Sequence, residues 1–222
     1  MTFSIAAVDR DTGETGCAVS SSSICVASRC AFAASGGAVL TQNVTNPALG
    51  PRALSLLANG FAPQEALDRL LRDERAPQWR QLLIVDSLGR SAVFDGDKAL
   101  GVVGRADGDD CVAAGNLLAS SQVPRAMVEA FETARGGLAE RLILAMEAGL
   151  AAGGEAGPVY SAGLKVARPG IDWPVVDLRV DWHETPILLL RELWRRYQPQ
   201  LEDYVTRAAD PDAAPGYGVP GE

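Results

Sequence analysis

Thr2 to Gln42 reads TFSIAAVDRDTGETGCAVSSSSICVASRCAFAASGGAVLTQ, and this stretch decides the fold. Charge is almost confined to the segment 9–14. Thr2 to Val8 mixes small, branched and aromatic residues, which predicts a strand covered on both faces. Asp9 to Gly13 supplies the side-chain acceptors and the glycine of a hairpin reversal, and Gly16 to Ser23 returns as the partner strand. The chain is therefore expected to begin with a buried β-hairpin.

Two further segments of the same stretch are short and apolar. Ile24 to Arg29 and Gly37 to Gln42 carry β-branched residues and predict a second pair of strands. Ala31 to Gly37, between them, is built of small residues and predicts a bend. A helix is expected to follow, with Pro51 as its first residue and Gly60 as its closing glycine.

The remaining pattern alternates between pairs of strands and pairs of helices. Predicted helices are 63–74, 122–135, 138–150 and 186–208, the last kinked at Pro199, and predicted strands are 82–86, 91–95, 100–103, 111–114, 161–167 and 176–182. This order predicts an α+β fold, a four-layer αββα sandwich of two antiparallel sheets. A two-layer α+β domain is the simpler alternative. One domain is expected over residues 1–210, followed by a loose tail over 211–222.

Composition excludes several classes of function. A net charge of −8 argues against binding to nucleic acid or to an anionic membrane. No apolar run approaches 20 residues, so a membrane span is not expected, and cytoplasm is the default compartment. The four cysteines match no zinc spacing and the chain has one histidine, so neither a metal nor another cofactor is predicted.

Thr2 is the candidate nucleophile. Met1 precedes a small residue, so initiator-methionine removal is expected to expose Thr2. A terminal threonine carries a hydroxyl and an α-amine on one residue. The amine has an ordinary pKa of about 7.7 to 8.0, which lets it accept the hydroxyl proton without a histidine.

Several motifs resemble those of one family. They are the terminal threonine with its acidic-glycine turn, GCAVSS at 16–21, SGGAVLTQN at 35–43, TNPALGPRAL at 45–54, AAGNLLAS at 113–120 and VDLRVD at 176–181. Together they resemble a family of N-terminal-nucleophile (Ntn) hydrolase-like proteins of unassigned reaction, distantly similar in fold to proteasome β-subunits. The resemblance covers about the first 195 residues. It implies the Ntn fold and Thr2 as the candidate nucleophile. We expect the corresponding reaction to be hydrolysis of a small amide or N-acyl compound.

The same resemblance implies roles for residues near Thr2. Asp9 or Ser22 would orient the terminal amine, and backbone N–H groups at Gly36 and Gly37, or the Asn116 side chain, would hold the oxyanion. Asn116 as a helix cap is the alternative. The lysine that proteasome-like relatives place on an inner strand is missing, because the chain has only Lys98 and Lys165. Lys165, Arg29 or Arg52 is the candidate replacement.

Three residues are candidate substrate ligands because of their position. Gln42 and Asn46 leave a strand expected to run beside Thr2, and Arg52 lies in the first turn of a helix, where free N–H groups attract anions. Loop capping for the two amides and a surface ion pair for Arg52 are the alternatives.

A second class of function stays open, namely an Ntn-fold protein without hydrolytic activity that binds a small ligand or serves as an assembly subunit. A hydrolase based on the serines at 20–23 is a more distant third, because it lacks a base. A homodimer is expected from the exposed helix faces and from Trp194 and Tyr197 on the last helix.

Overall fold

The computed structural model describes residues 2–219. Within that range there are ten strands, β1 to β10, and seven α-helices, α1 to α7. The strands are β1 Thr2–Val8, β2 Thr15–Ser21, β3 Ala31–Ala34, β4 Gly37–Asn43, β5 Arg80–Asp86, β6 Ser91–Asp95, β7 Gly104–Gly108, β8 Cys111–Asn116, β9 Ser161–Ala167 and β10 Pro174–Val180. The helices are α1 Val26–Cys30, α2 Leu49–Ala58, α3 Pro63–Asp73, α4 Val123–Thr133, α5 Leu138–Ala151, α6 Pro186–Tyr197 and α7 Leu201–Ala209.

The strands form two antiparallel sheets. The larger sheet has the order β10-β9-β2-β1-β8-β7, and the smaller has the order β3-β4-β5-β6. Neighbouring strands are antiparallel throughout. The predicted mixed α+β class with two antiparallel sheets is therefore confirmed. β1 occupies an inner position in the larger sheet, between β2 and β8.

Three hydrophobic clusters fill the space around the sheets. One joins the larger sheet to α4, α5 and α6, a second lies between the two sheets, and a third joins the smaller sheet to α2 and α3. In β1, Phe3 and Ile5 belong to the first cluster, whereas Ala6 and Val8 belong to the second. Because side chains alternate along a strand, Thr2 and Ser4 share the face of β1 that looks toward the smaller sheet.

The prediction of a strand over Ile24 to Arg29 is wrong. Cys25 adopts a left-handed backbone conformation, with φ 55°, and the chain then forms the short helix α1. Val26 and Ala27 bury against the larger sheet, where Gly163 leaves room for the methyl group of Ala27. The predicted bend at Ala31 to Gly37 contains strand β3 instead. Short apolar runs do not distinguish a buried helix from a strand by periodicity alone, and here tertiary packing decides.

Two further boundaries differ from the sequence-based predictions. The strand expected at 100–103 lies at Gly104–Gly108, an edge strand whose exposed side chains give little apolar signal. The last helix does not bend at Pro199 but breaks there into α6, a 3₁₀ turn at Gln198–Gln200, and α7. Proline cannot supply the backbone donor that a continuous helix needs.

Trp194 is buried rather than exposed. Its exposed fraction is 4%, and its indole Nε1 donates to Glu140 Oε2 at 2.9 Å. Arg191, 6% exposed, also contacts Glu140 and makes a paired contact with Glu147. These bonds attach α6 to α5, so Trp194 packs within the chain and gives no argument for a dimer.

Candidate active site

Thr2 begins β1 in the interior of the molecule. It pairs with Asn116 of β8, and the next residue, Phe3, pairs with Ser20 of β2. The exposed fraction of Thr2 is 3%, and that of Asn116 is zero. The start of the described chain therefore lies inside the larger sheet, with the Thr2 side chain on the face toward the smaller sheet.

A network of buried amides connects the two sheets beside this position. Ser4 Oγ donates to Gln42 Oε1 at 2.8 Å, and Gln42 Nε2 donates to Gln81 Oε1 at 2.7 Å. Asn116 Nδ2 donates to the same Gln81 oxygen at 2.9 Å, while Gln81 Nε2 donates to Asp95 Oδ1 at 2.6 Å. Since both glutamines use their donor and their acceptor, the network fixes the orientation of Asn116.

The network brings together two of the predicted residues and adds two others. Gln42 and Asn116 were expected at strand ends near Thr2, and both lie on the inter-sheet face. Asn116 ends β8 and does not cap a helix, because α4 begins later, after Gln122. Gln81 and Asp95 were missed. Gln81 is a single amide at the start of an otherwise apolar run, and that was the available signal.

A second polar cluster surrounds the end of β2. Ser21 Oγ and Ser23 Oγ are 2.8 Å apart, and Ser161 Oγ of β9 donates to the Ser23 carbonyl at 2.6 Å. The backbone N–H of Ser22 donates to Glu155 Oε1 at 3.0 Å. The predicted residue Ser22 thus lies at the strand end next to the start of β1, and it is linked there to a carboxylate.

Glu155 was not predicted. It lies in the loop between α5 and β9, and its residue is 4% exposed. Burial raises the pKa of its carboxyl to about 7, against the smaller lowering effect of hydrogen bonds from Ser22. The available signal was one carboxylate in the small-residue loop AAGGEAGP at 151–158, where a charge has no packing purpose.

Two buried oxygen atoms at this end of β1 have no hydrogen-bond partner within residues 2–219. They are Asn116 Oδ1 and Glu155 Oε2. Asn116 is the partner of Thr2 in the β1–β8 ladder, and Glu155 holds the residue that follows β2, the other neighbour of β1. Buried acceptors normally have a donor, so these two atoms require an explanation.

Three predicted residues lie elsewhere. Asp9 follows the opposite end of β1, about 20 Å from Thr2 at the usual rise per strand residue, and its carboxylate accepts from the backbone N–H of Asp11 at 3.0 Å. Gly36 lies in the β3–β4 turn, and Gly37 is the first residue of β4. This turn lies at that distant end too, because Thr15, the partner of Val8, donates to the Ala34 carbonyl at 2.6 Å. Asp9 cannot orient a Thr2 amine, and the two glycines cannot hold an oxyanion there.

Asn46 and Arg52 face the outer helices rather than Thr2. Asn46 Nδ2 donates to Glu74 Oε2 at 2.6 Å, and its Oδ1 accepts from the Ala48 N–H, so it acts as a loop cap. Arg52 pairs with Asp73 at 2.8 Å with both side chains about half exposed. The two alternatives stated from sequence, capping and a surface ion pair, describe what these residues do in the structure.

The candidate cations differ in position. Lys165 of β9 pairs with Asp177 at 3.0 Å and lies opposite Cys17, well along the sheet from Thr2. Arg29 is closer, because its guanidinium donates to Ser23 Oγ at 3.3 Å and to the Ile24 carbonyl at 2.6 Å. Arg29 is therefore the cation that reaches the serine cluster.

Five cavities of about 190 to 520 Å³ lie at the surface of the described chain, and Thr2 lines none of these five. The largest lies between β10 and the α6–α7 region, with Trp173, Leu178 and Tyr204 among its walls. Arg52 lines another, of about 320 Å³, with Arg69 and Arg72. Thr2 is 3% exposed, so its side chain lies beneath the surface.

Residues 2–219 lack both a metal-binding cluster and a membrane-spanning helix. Residues 2–219 contain no group of three or more histidine, cysteine, aspartate or glutamate side chains arranged to hold a metal ion. No helix within the same range has the length and apolar character needed to cross a membrane.

Comparison with known proteins identifies the family. The model of a family of unknown function, DUF1028, matches residues 2–190, and the chain therefore belongs to that family. A crystal structure of a protein from Silicibacter pomeroyi, assigned to the same family, is similar to this chain with a TM-score of 0.82 and 30% sequence identity. The similarity covers 89% of this chain and 89% of that one. No curated protein matches the sequence.

Proposed function

We propose that this protein is an N-terminal-nucleophile amidohydrolase, with a four-layer αββα fold, that cleaves a small amide or N-acyl compound through Thr2. The observation that carries the proposal is the position of Thr2. It begins an inner strand, is 3% exposed, and faces a layer of buried amides between two sheets. Polar side chains are costly to bury between two sheets, so a buried layer of amides beside Thr2 supports a chemical role for this position.

The proposed reaction uses the two groups of Thr2 in sequence. After removal of Met1, Thr2 Oγ attacks the acyl carbon while the α-amine accepts the hydroxyl proton. The amine then gives this proton to the leaving nitrogen, and an ester between the acyl group and Thr2 forms. Water hydrolyses that ester with the same amine as base, which returns the hydroxyl and releases the acid.

Asn116 is the proposed oxyanion donor among the predicted residues. It lies directly opposite Thr2, and its Nδ2 is oriented by Gln81. One well-placed donor of this kind lowers the barrier by roughly 3 kcal/mol. Gln42 and Ser22 would add polar groups near Thr2, and Arg29, which donates to Ser23 Oγ, would supply a positive charge next to the serine cluster.

The test begins with the intact mass of untagged protein, which is expected to lack Met1. Wild type and the Thr2→Ser and Thr2→Ala variants are then treated with a panel of small N-acyl compounds and one β-lactone. Serine retains the hydroxyl, and alanine keeps a small residue after Met1, so all three chains are processed alike. Wild type and Thr2→Ser are expected to carry an acyl adduct on residue 2. Thr2→Ala is expected to carry no adduct on residue 2 or on its neighbours. Retained Met1, or equal labelling of all three chains, overturns the proposal.

A second candidate is a non-hydrolytic protein of the same fold that binds a small ligand or serves as an assembly subunit. The low exposure of Thr2 and the position of the five cavities favour it. This candidate predicts removal or retention of Met1 without any adduct at residue 2. A homodimer remains a proposal for either function, and sedimentation of the untagged protein tests it.

A further inference from the structure

We propose that Glu155 and Asn116 form a binding site for an ammonium group, and that its occupant is the α-ammonium of Thr2. The inference rests on the proposed function, because it requires a chain that begins at Thr2. It concerns positioning residues rather than the nucleophile, and it assigns a role to a carboxylate that no sequence motif identified.

Two buried acceptor atoms near the start of β1 have no hydrogen-bond donor among the described residues. Asn116 Oδ1 and Glu155 Oε2 are buried and lack a donor within residues 2–219. The other polar atoms of both side chains are committed, because Asn116 Nδ2 donates to Gln81 and Glu155 Oε1 accepts from the Ser22 N–H. Each side chain is thus held by one atom and presents the other without a partner.

Both acceptors lie near the start of β1. Thr2 pairs with Asn116 of β8 on one side, and Ser22 follows β2 on the other side. The backbone of Glu155 bridges to Leu118, which follows β8, whereas its carboxylate accepts from the N–H of Ser22, so the Glu155 side chain extends past the start of β1 from the β8 side to the β2 side. Adjacent strands are about 4.8 Å apart, so both acceptors lie within reach of the strand that carries Thr2. Any group that serves both must lie at the start of β1.

A group that serves both acceptors must have at least two hydrogen-bond donors. A backbone amide has one N–H, whereas an ammonium has three donors and a positive charge. Cleavage of the Met1–Thr2 bond converts the Thr2 amide nitrogen into that ammonium. It can donate to both acceptors and form an ion pair with Glu155, whose burial otherwise disfavours the charged carboxylate. After loss of one proton, the neutral amine that acts as base in the proposed reaction keeps two N–H groups for the same two acceptors.

Other charged groups approach this end from neighbouring elements. Arg29 of α1 contacts Ser23, and Asp95 of β6 contacts Gln81, so each acts through an intervening side chain. Glu155 is the charged group that contacts a residue directly beside β1. Neutralising it is therefore expected to have the largest effect on the Thr2 amine.

The test is the pKa of the Thr2 α-amine, measured by NMR on protein labelled with ¹⁵N-threonine, in which the amine nitrogen resonates apart from the amides. Glu155→Gln keeps the shape and the acceptor for Ser22 while removing the charge, and it is expected to lower the pKa of the amine by about one unit. Asn116→Asp adds a carboxylate on the other side and is expected to raise it. Glu184→Gln removes an exposed carboxylate after β10 and serves as the charge-matched control.

The possible outcomes separate the inference from the proposed function. An amine pKa in Glu155→Gln equal to that of the Glu184→Gln control overturns the ammonium site, even where Thr2 is acylated. If untagged protein keeps Met1, the proposed function fails. A chain released from a fusion so that it starts at Thr2 then still tests the ammonium site. The assignment to Thr2 would be overturned by two results together. Free methylammonium would shift the ¹⁵N signals of the Met1-bearing chain, and Glu155→Gln would leave the amine pKa of the Thr2-initiated chain unchanged. These results would identify an external amine as the occupant.

Discussion

Glu155→Gln is expected to change how the stability of the Met1-bearing chain depends on pH. Burial raises the pKa of Glu155 from its ordinary value of 4.5 to about 7. Between these values the folded chain holds a proton that the unfolded chain has lost. The free energy of unfolding therefore falls as the pH rises through this interval, and the full cost is present above pH 7.

The two pKa values set the size of the effect. Their difference corresponds to about 3 kcal/mol at 1.36 kcal/mol for each pKa unit. The amide that replaces the carboxyl in the Glu155→Gln variant carries no charge at any pH and avoids this cost. Relative to wild type, the variant is expected to gain stability by about 3 kcal/mol when the pH is raised from about 4 to about 8.

Urea denaturation of both chains at several pH values measures this difference, with an amino-terminal tag retained so that Met1 stays in place. The slope of the unfolding free energy against urea concentration should match between chains, which shows that the same surface is exposed. Glu184→Gln corrects for the loss of one charge. A pH dependence in Glu155→Gln that matches the Glu184→Gln chain would show that the carboxyl of Glu155 is not held in a desolvated environment, and the reasoning would fail.

Other expected outcomes concern packing. Gly163→Ala places a methyl group 2.2 Å from the Ala27 side chain and should destabilise the protein by about 1 to 3 kcal/mol. Gly157 has open space around it, so Gly157→Ala should change stability by well under about 1 kcal/mol. Thermal unfolding compares the two variants. Arg191, a residue that is 6% exposed, pairs with two glutamates, and Arg191→Met should cost about 2 to 4 kcal/mol in urea denaturation. Arg196→Met breaks an exposed pair and should cost less than about 0.5 kcal/mol. Equal losses would contradict the packing of α6 on α5.

The buried hairpin could be predicted from sequence because its signal is local. An apolar strand, the acidic turn after Val8 and the return strand follow one another without interruption. The α1 helix could not be predicted in this way, since Val26–Cys30 is only five residues long and its conformation depends on contacts with β9. Local propensity is a weak guide where distant packing decides.

The candidate site shows the same division. Gln42 and Asn116 were identified because each follows an apolar strand, but Gln81 and Glu155 join the site through contacts that span 35 and 133 residues. The order of strands in a sheet brings such residues together, and this order cannot be predicted from the local sequence of any single segment. Asp9 lies far from Thr2 because the turn of a hairpin is at the opposite end from the residue that begins its first strand. Gly36 and Gly37 lie at the β3–β4 turn of the smaller sheet, which contacts this same distant end of the β1–β2 hairpin through Thr15.

The inner position of β1 also has a consequence for biosynthesis. Its neighbour β8 ends at residue 116, and β9, which pairs with β2, ends at residue 167. A ribosome must therefore complete about three quarters of the polypeptide before the first strands find all their partners, and pairings so distant in sequence form slowly. Until then the hairpin 2–21 has apolar side chains and strand edges that are not yet covered, and such surfaces make a partly folded chain prone to aggregation.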